Sequence, residues 1–249
     1  MSEFLFSGTF NDINAEALYL SLRDLQKIGC NQFAFHFTED NKLKISAVNE
    51  SKSIISIVSF NDEYLDKCEL SQEFKFGVYN SDELVSFLSL FKTGFELLIS
   101  PEKLVIKVSD SEYEFYSSNL KTIRKAPECL SAPLKYIQKF DFDPENYKPF
   151  IKAIPLLNNE FILLKGSINS EVTTLVVTEK DIKSNSFNQK IVSPKPTEDF
   201  KLVVNKQHIL PILASSSFDK FIIGICKDMV HIDGIHPSYT TNFYIKTTI

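Results

Sequence analysis

The sequence predicts an α+β protein of two duplicated domains, each with antiparallel sheets and two helices packed on one face. Three observations predict it. Residues 73–100, EFKFGVYNSDELVSFLSLFKTGFELLIS, align without a gap on residues 199–226, DFKLVVNKQHILPILASSSFDKFIIGIC. Phe74 falls on Phe200 and Phe95 on Phe221, an offset of 126 residues, about half of the 249. Both copies read as strand, polar cap, apolar helical stretch, polar break and strand, and the rest of the chain holds short alternating apolar runs with short connections, the pattern of antiparallel sheet. A period this long lies far beyond the ~20–50 residues of solenoid units, so it marks a duplicated domain.

The elements follow in order. Residues 4–10 alternate weakly as a strand. Asn14 is placed to cap a helix from Ala15 to about Ile28, ended by Gly29. Phe33-Ala34-Phe35-His36-Phe37 alternates as a strand, Glu39-Asp40-Asn41 turns the chain, and residues 43–48 and 54–60 form two more strands. The first copy of the repeat comes next, then a hairpin of residues 104–108 with 113–116. From about Ser118 to Lys139 the pattern dissolves into prolines and lysines, which divides the chain into an N-terminal domain (1–118), a connector (119–139) and a C-terminal domain (140–249). The second domain repeats the plan: Phe140 and Phe142, a helix after Asp143-Pro144, strands 161–164 and 172–177, then the second copy.

Amphipathic spacing assigns the helix faces. In the first helix Ala15, Leu18, Leu22 and Leu25 face the sheet, with Arg23, Gln26 and Lys27 on the far side and Glu16 in the first turn. In the second, Leu84, Phe87, Leu88 and Phe91 point inward and Ser86, Ser89 and Lys92 outward. In the third, Tyr147, Phe150, Ile151 and Ile154 point inward, and Lys148 and Lys152 stack one turn apart outside. In the fourth, Asn205 caps, Ile209, Leu210, Ile212 and Leu213 pack, and Lys206 and Ser215 are left over. A pair of lysines on one helix is an ordinary solvated face. Four equivalent helices whose solvent sides are mainly basic or neutral stand out in a chain of net charge −5.

Other chemistry leaves little trace. Only 7 glycines occur, with no GxGxxG, GxxxxGK[ST] or GxSxG, so phosphate cradles and nucleophile elbows have no signature. His231, Asp233 and His236 can be drawn as metal ligands, but Asp233-Gly234 followed by Pro237 reads more simply as a turn. Asp141 and Asp143 can be drawn as paired acids, but the second is better placed to cap the third helix. The cysteines Cys30, Cys68, Cys129 and Cys226 have no CxxC spacing and read as free thiols of a reducing compartment. MSEFLFSGTF lacks a signal-peptide pattern and no stretch of ~20 apolar residues is present, so the expectation is a soluble cytoplasmic protein without a membrane partner.

The element order, with FKFGVYNSDELVSFLSLF, FELLIS and GTFNDINAEALYLSLRDL, resembles the ring-shaped DNA sliding clamps, both those of tailed phages and proliferating cell nuclear antigen. The resemblance covers nearly the whole chain. It implies a non-enzymatic, cofactor-free homotrimer that encircles double-stranded DNA without reading sequence. It also implies a tethered replicative DNA polymerase and a clamp loader that opens the ring, at replication forks (in the host cytoplasm for a viral protein). It gives Arg23, Lys27, Lys92, Lys148, Lys152 and Lys206 as channel residues that contact phosphates. It puts a pocket for a partner's hydrophobic peptide at Val48, Asn49, Leu130, Leu134, Pro237, Tyr244 and Ile245, of which Leu134, Tyr244 and Ile245 read equally well as core. It pairs an edge strand at 112–116, with Tyr113 and Phe115, with one at 186–190, with Phe187 and Lys190, across the subunit interface. The apolar ending FYIKTTI departs from the antigen's polar tail. A monomeric processivity factor of the same fold and a viral structural or assembly protein remain as alternatives.

Overall fold

The computed structural model describes residues 4–65, 68–91, 94–124, 126, 133–157, 160–178 and 187–248. The chain divides into two compact units, Met1–Glu128 with Pro237–Thr241, and Cys129–His236 with Asn242–Ile249.

The first unit runs β1 (Phe6–Phe10), α1 (Asp12–Lys27), β2 (Phe33–Phe37), β3 (Leu43–Val48), β4 (Ile54–Phe60), a 3-10 turn (Asp62–Leu65) and β5 (Cys68–Leu70). It continues with β6 (Phe74–Val78), α2 (Ser81–Leu88), β7 (Phe95–Ile99), β8 (Lys103–Val108) and β9 (Ser111–Tyr116). One sheet has the order β5-β1-β7-β8-β9, and β4-β3-β2-β6 lie side by side in another. Alternation sends Phe33, Phe35 and Phe37 of β2 to the interior and leaves Ala34 and His36 on the outer face. The ring of Phe6 on β1 lies 4.6 Å from that of Phe37 on β2, so aromatic side chains fill the space between the two sheets.

The second unit runs β10 (Gln138–Phe142), α3 (Lys148–Ala153) with a 3-10 turn (Ile154–Leu156), β11 (Phe161–Gly166), β12 (Val172–Thr178) and β13 (Phe187–Val192). It closes with β14 (Phe200–Asn205), α4 (Lys206–Leu213), β15 (Lys220–Ile225), β16 (Met229–His236) and β17 (Tyr239–Lys246). Its sheets have the orders β10-β15-β16-β17 and β13-β12-β11-β14. The sequence repeat is thus β6-α2-β7 laid on β14-α4-β15. The architecture is α+β and mostly antiparallel, with helices set on duplicated sheets.

Several local expectations are corrected. Helix α1 starts a turn earlier than Ala15, because Asn11 is its cap: its Oδ1 accepts from the Asn14 amide at 2.9 Å. The Asn14 side chain instead donates to the Tyr64 carbonyl at 3.1 Å. Helix α3 lasts only six residues, with no side-chain cap at Tyr147 and with Pro149 in its first turn. Pro155 then sits in the 3-10 segment, where a continued α-helix would lose a hydrogen bond. Asp143 does not cap this helix; it closes the turn before it, accepting from the Glu145 amide and the Asn146 side chain at 2.9 and 2.8 Å.

Gln138 and Lys139, expected in the connector, open β10. Burial explains the former: Gln138 accepts from Thr173 Oγ1 at 2.7 Å and donates to Ser193 Oγ at 3.0 Å in a closed polar network. Asp233 and Gly234 are not a turn but lie within β16, and the turn falls at Pro237–Ser238. Gly234 suits a strand there because a Cβ would come within 2.8 Å of the Phe218 ring.

Candidate functional site

The helices carry the expected channel charges unevenly. Asp24, itself buried, lies 3.5 Å from Arg23 Nη2 and 3.4 Å from Lys27 Nζ. Arg23 is half-buried and its guanidinium stands 5.6 Å from the centre of the Tyr19 ring, so packing and a local carboxylate hold it. Lys27 remains exposed. Gln26 is not on a free side: it donates to Asp82 Oδ1 of α2 at 2.8 Å. The expectation of a basic or neutral solvent side fails for α2, whose first turn exposes Asp82 and Glu83. Acids at this position suit the helix dipole. Lys92 lies outside the described residues.

In α3 both Lys148 and Lys152 are exposed, and Lys148 Nζ meets the exposed Glu145 at 2.9 Å. A pair this wet contributes little and leaves the lysine available. Lys206 is used differently. Its ammonium donates to the Leu157 carbonyl at 2.7 Å and the side chain is half-buried. Ser215, expected outside, is buried and accepts from the Ser217 amide. Exposed basic groups on the described helices therefore include Lys27, Lys148 and Lys152.

Two edge strands differ in dress. At the end of the first unit's sheet, β9 turns Tyr113 and Phe115 toward α2. The Phe87 ring lies 4.0 Å from Tyr113 and 4.7 Å from Phe91, while Tyr113 and Phe115 are 4.7 Å apart. Phe87 and Phe91 are thus half-buried members of an aromatic surface cluster, and Val85 takes the inward place expected of Phe87. Tyr113 donates to Glu83 Oε1 at 2.7 Å, and this bond to a carboxylate pushes its hydroxyl pKa up. At the end of a sheet in the second unit, β13 packs Phe187 on Phe150 of α3, 5.7 Å between ring centres, and exposes Lys190 and Val192.

The first unit also holds a cavity of about 160 Å³ between its β2-β3-β6 face and Leu120, Ile123 and Ala126, lined also by Ala34, His36, Ser46 and Lys75, among others. Gly77 makes this closeness possible. A Cβ there would meet Ile123 and stand 2.7 Å from the Ser118 carbonyl oxygen. The Ser118 amide donates to the Gly77 carbonyl at 2.8 Å, and the Arg124 amide to Gln32 Oε1 at 2.9 Å, so the segment is pinned to the sheet.

Among the described residues, none of those expected for a peptide pocket lines this cavity. Val48 is buried, and Asn49 is committed to its own loop, accepting from the Ser53 and Ile54 amides at 2.9 Å each. Pro237 is exposed and Leu134 half-buried. Ile245 is fully buried core, and Leu130 lies outside the described residues. Tyr244 belongs to a polar cluster in the second unit, its ring stacked on His231 at 4.8 Å. There His231 Nε2 donates toward Asp233 at 3.1 Å and Asn242 at 3.2 Å, which leaves Nδ1 to accept from the Tyr136 hydroxyl at 2.9 Å. Burial, with the Asp233 charge added, pushes Tyr136 up to about 12. Burial also opposes the charge on Asp233, yet His231 and Lys139 together hold its carboxyl below the usual value. Among the described residues no group of His, Cys, Asp and Glu is placed to hold a metal ion, and no helix is long and apolar enough to cross a membrane.

Solved structures share this architecture over nearly the full length. A PCNA (proliferating cell nuclear antigen) of A. fulgidus, solved with the C-terminal region of FEN-1 bound, superposes with a TM-score of 0.79 at 16% identity, covering 98% of each chain. The chain has the sliding-clamp fold of the PCNA proteins. A PCNA2–PCNA3 complex from Sulfolobus tokodaii matches with a TM-score of 0.74 at 16% identity over 97% of this chain and 98% of that one. The PCNA of Entamoeba histolytica matches at 0.79 and 11% identity, over 99% and 100%. No protein-family model matches the sequence, and no curated protein does. At these identities the clamp likeness is one of fold.

Sequence reasoning missed the cavity-lining residues of this clamp fold. Its one available signal was Gly77 inside an otherwise good strand, which marks a close approach of another segment. Leu120 and Ile123, three apart in a polar connector, are the apolar residues that come down on it.

Proposed function

We propose that the protein is a DNA sliding clamp: three copies form a ring around duplex DNA and tether a replicative DNA polymerase, without chemistry of their own. The observation that carries this reading is the clamp fold over 98% of the chain, built from a duplicated unit. Lys27, Lys148 and Lys152 are the channel residues, holding phosphates without reading bases. The β9 edge pairs with the β13 edge of the next copy, which covers both of these edges. The aromatic surface at Tyr113, Phe115, Phe87 and Phe91 favours such assembly over a monomeric processivity factor, since an exposed apolar edge is an association hazard unless it is covered. A clamp loader opens the ring, and the cavity beneath Leu120 and Ile123 receives partner proteins.

Light scattering tests the assembly, and retention on circular duplex tests the channel. The expected result is a trimer that a loader places on closed circles and that runs off when the circle is cut. Lys148→Glu with Lys152→Glu should lower retention and polymerase processivity at least about tenfold at low salt, and less at high salt, because counterion release drives the contact. A monomer at micromolar concentration would remove the ring. Unchanged retention of the double variant would remove the channel assignment.

A further inference from the structure

The outer face of the first unit concentrates positive charge beside the cavity. His36 stands directly opposite Lys44 of β3 on one side and Lys75 of β6 on the other. Directly opposed residues share a face, with Cβ atoms about 4.5–5.5 Å apart. The burial pattern agrees that this face is the outer one, since Phe35, Ile45 and Phe76 alternate with these residues and are buried. Three basic side chains therefore run in one row across adjacent strands of an acidic protein. Glu73 also sits against the row, 2.7 Å from His36 Nε2.

The next row on the same face is Ser46, Ala34 and Gly77. It is small and uncharged, and its Ser46 and Ala34 line the cavity of about 160 Å³ together with Leu120, Ile123 and the neighbouring His36 and Lys75. That volume is near the ~150 Å³ at which an apolar cavity takes up one benzene-sized group. One apolar side chain fits there, and whatever flanks it lies on the cationic row.

We infer that this face docks an acidic segment of a partner protein: one apolar side chain enters the cavity, and carboxylates beside it in sequence lie across Lys44, His36 and Lys75. This rests on the reading of the cavity as a partner site and adds the partner's charge. The adjacency decides it, because an apolar cavity alone would select only hydrophobicity and a cationic row alone would select any anion.

Selection of a random displayed peptide library on the full chain tests the inference, with affinities of the recovered peptides measured by fluorescence anisotropy. Recovered peptides should carry Asp or Glu within a few residues of an apolar anchor. Replacing those acids by Asn or Gln on the unmodified protein should weaken binding about fivefold to tenfold, as should Lys44→Gln with Lys75→Gln, and added salt should shrink the difference. Lys44→Glu with Lys75→Glu should turn the preference toward lysine-flanked anchors. Peptides without acidic bias, or affinities indifferent to the acid replacements, would overturn the charge assignment while leaving the cavity as a docking site. If Ile123→Asp leaves peptide binding unchanged, or if no peptide binds, the docking reading falls as well. Duplex DNA displacing the peptides from this face would assign the row to phosphates and overturn the inference.

Discussion

The two units open on one plan, a strand followed by a helix, yet α1 runs sixteen residues and α3 six. Asn11 caps α1, a stripe of Ala15, Leu18, Leu22 and Leu25 buries it, and Gly29 ends it at a φ of +81° that favours glycine. Helix α3 has no cap, begins with Pro149 and gives way to a 3-10 turn holding Pro155, and it buries Phe150 most deeply. The longer helix also ties down its own charges, because Asp24 sits between Arg23 and Lys27, whereas the shorter one exposes Lys148 and Lys152. Duplication has preserved strand order and core while the helices diverged in length, anchoring and free charge. Quasi-equivalence in this chain belongs to the sheets.

The sharpest way to break the comparison is to remove core from each helix. Leu22 is fully buried, and Leu22→Ala should cost about 2–5 kcal/mol of unfolding free energy in urea. Ile151 in α3 is only half-buried, and Ile151→Ala should cost less than half as much. Equal losses would show that α3 is anchored as firmly as α1.

A smaller effect separates the two glycines over which neighbouring segments pack. At Gly77 a Cβ meets a backbone carbonyl, which cannot swing away, and the cost should reach about 1–3 kcal/mol for Gly77→Ala. At Gly224 the three nearest atoms all belong to the Tyr136 ring, a side chain that can shift at some cost to its bond with His231 where a backbone carbonyl cannot, so Gly224→Ala should cost less. Thermal melts of the two variants make the test, and the reverse order would count against it.

The smallest expected effect is confined to the second unit. Because the folded protein holds the Asp233 carboxyl below its usual pKa of 3.8, the resulting stabilisation is present above that value. It is lost as pH falls through the lowered folded value. Asp233→Asn should flatten the acid limb of a stability-against-pH curve below pH 4, and an unchanged limb would assign that loss to other carboxylates.

Much of the fold was legible in sequence because it follows local period. FAFHF alternates in the chain as β2 does in space, and the gapless repeat maps strand for strand. The sites were less legible because they depend on register and on partners distant in sequence. Nothing near His36 in the chain announces Lys75, 39 positions away. Arg23 and Lys27 looked free because helical spacing shows which face a residue is on, and the burial of Asp24 between them depends on what packs against that face. The pocket residues chosen from the ends of the chain included Ile245, whose apolar character served the core.

Asp24 has one more consequence on the clamp reading. A ring whose inner charges are partly quenched from within feels little drag from the phosphates it passes and gains little from stopping at any of them. Its residence on a closed circle then depends on how often the ring opens as well as on the phosphate contacts of Lys148 and Lys152, a largely kinetic confinement. Its equilibrium grip on a short linear duplex would remain weak even for a fully active protein, and residence time on closed circles would be the measure of its activity.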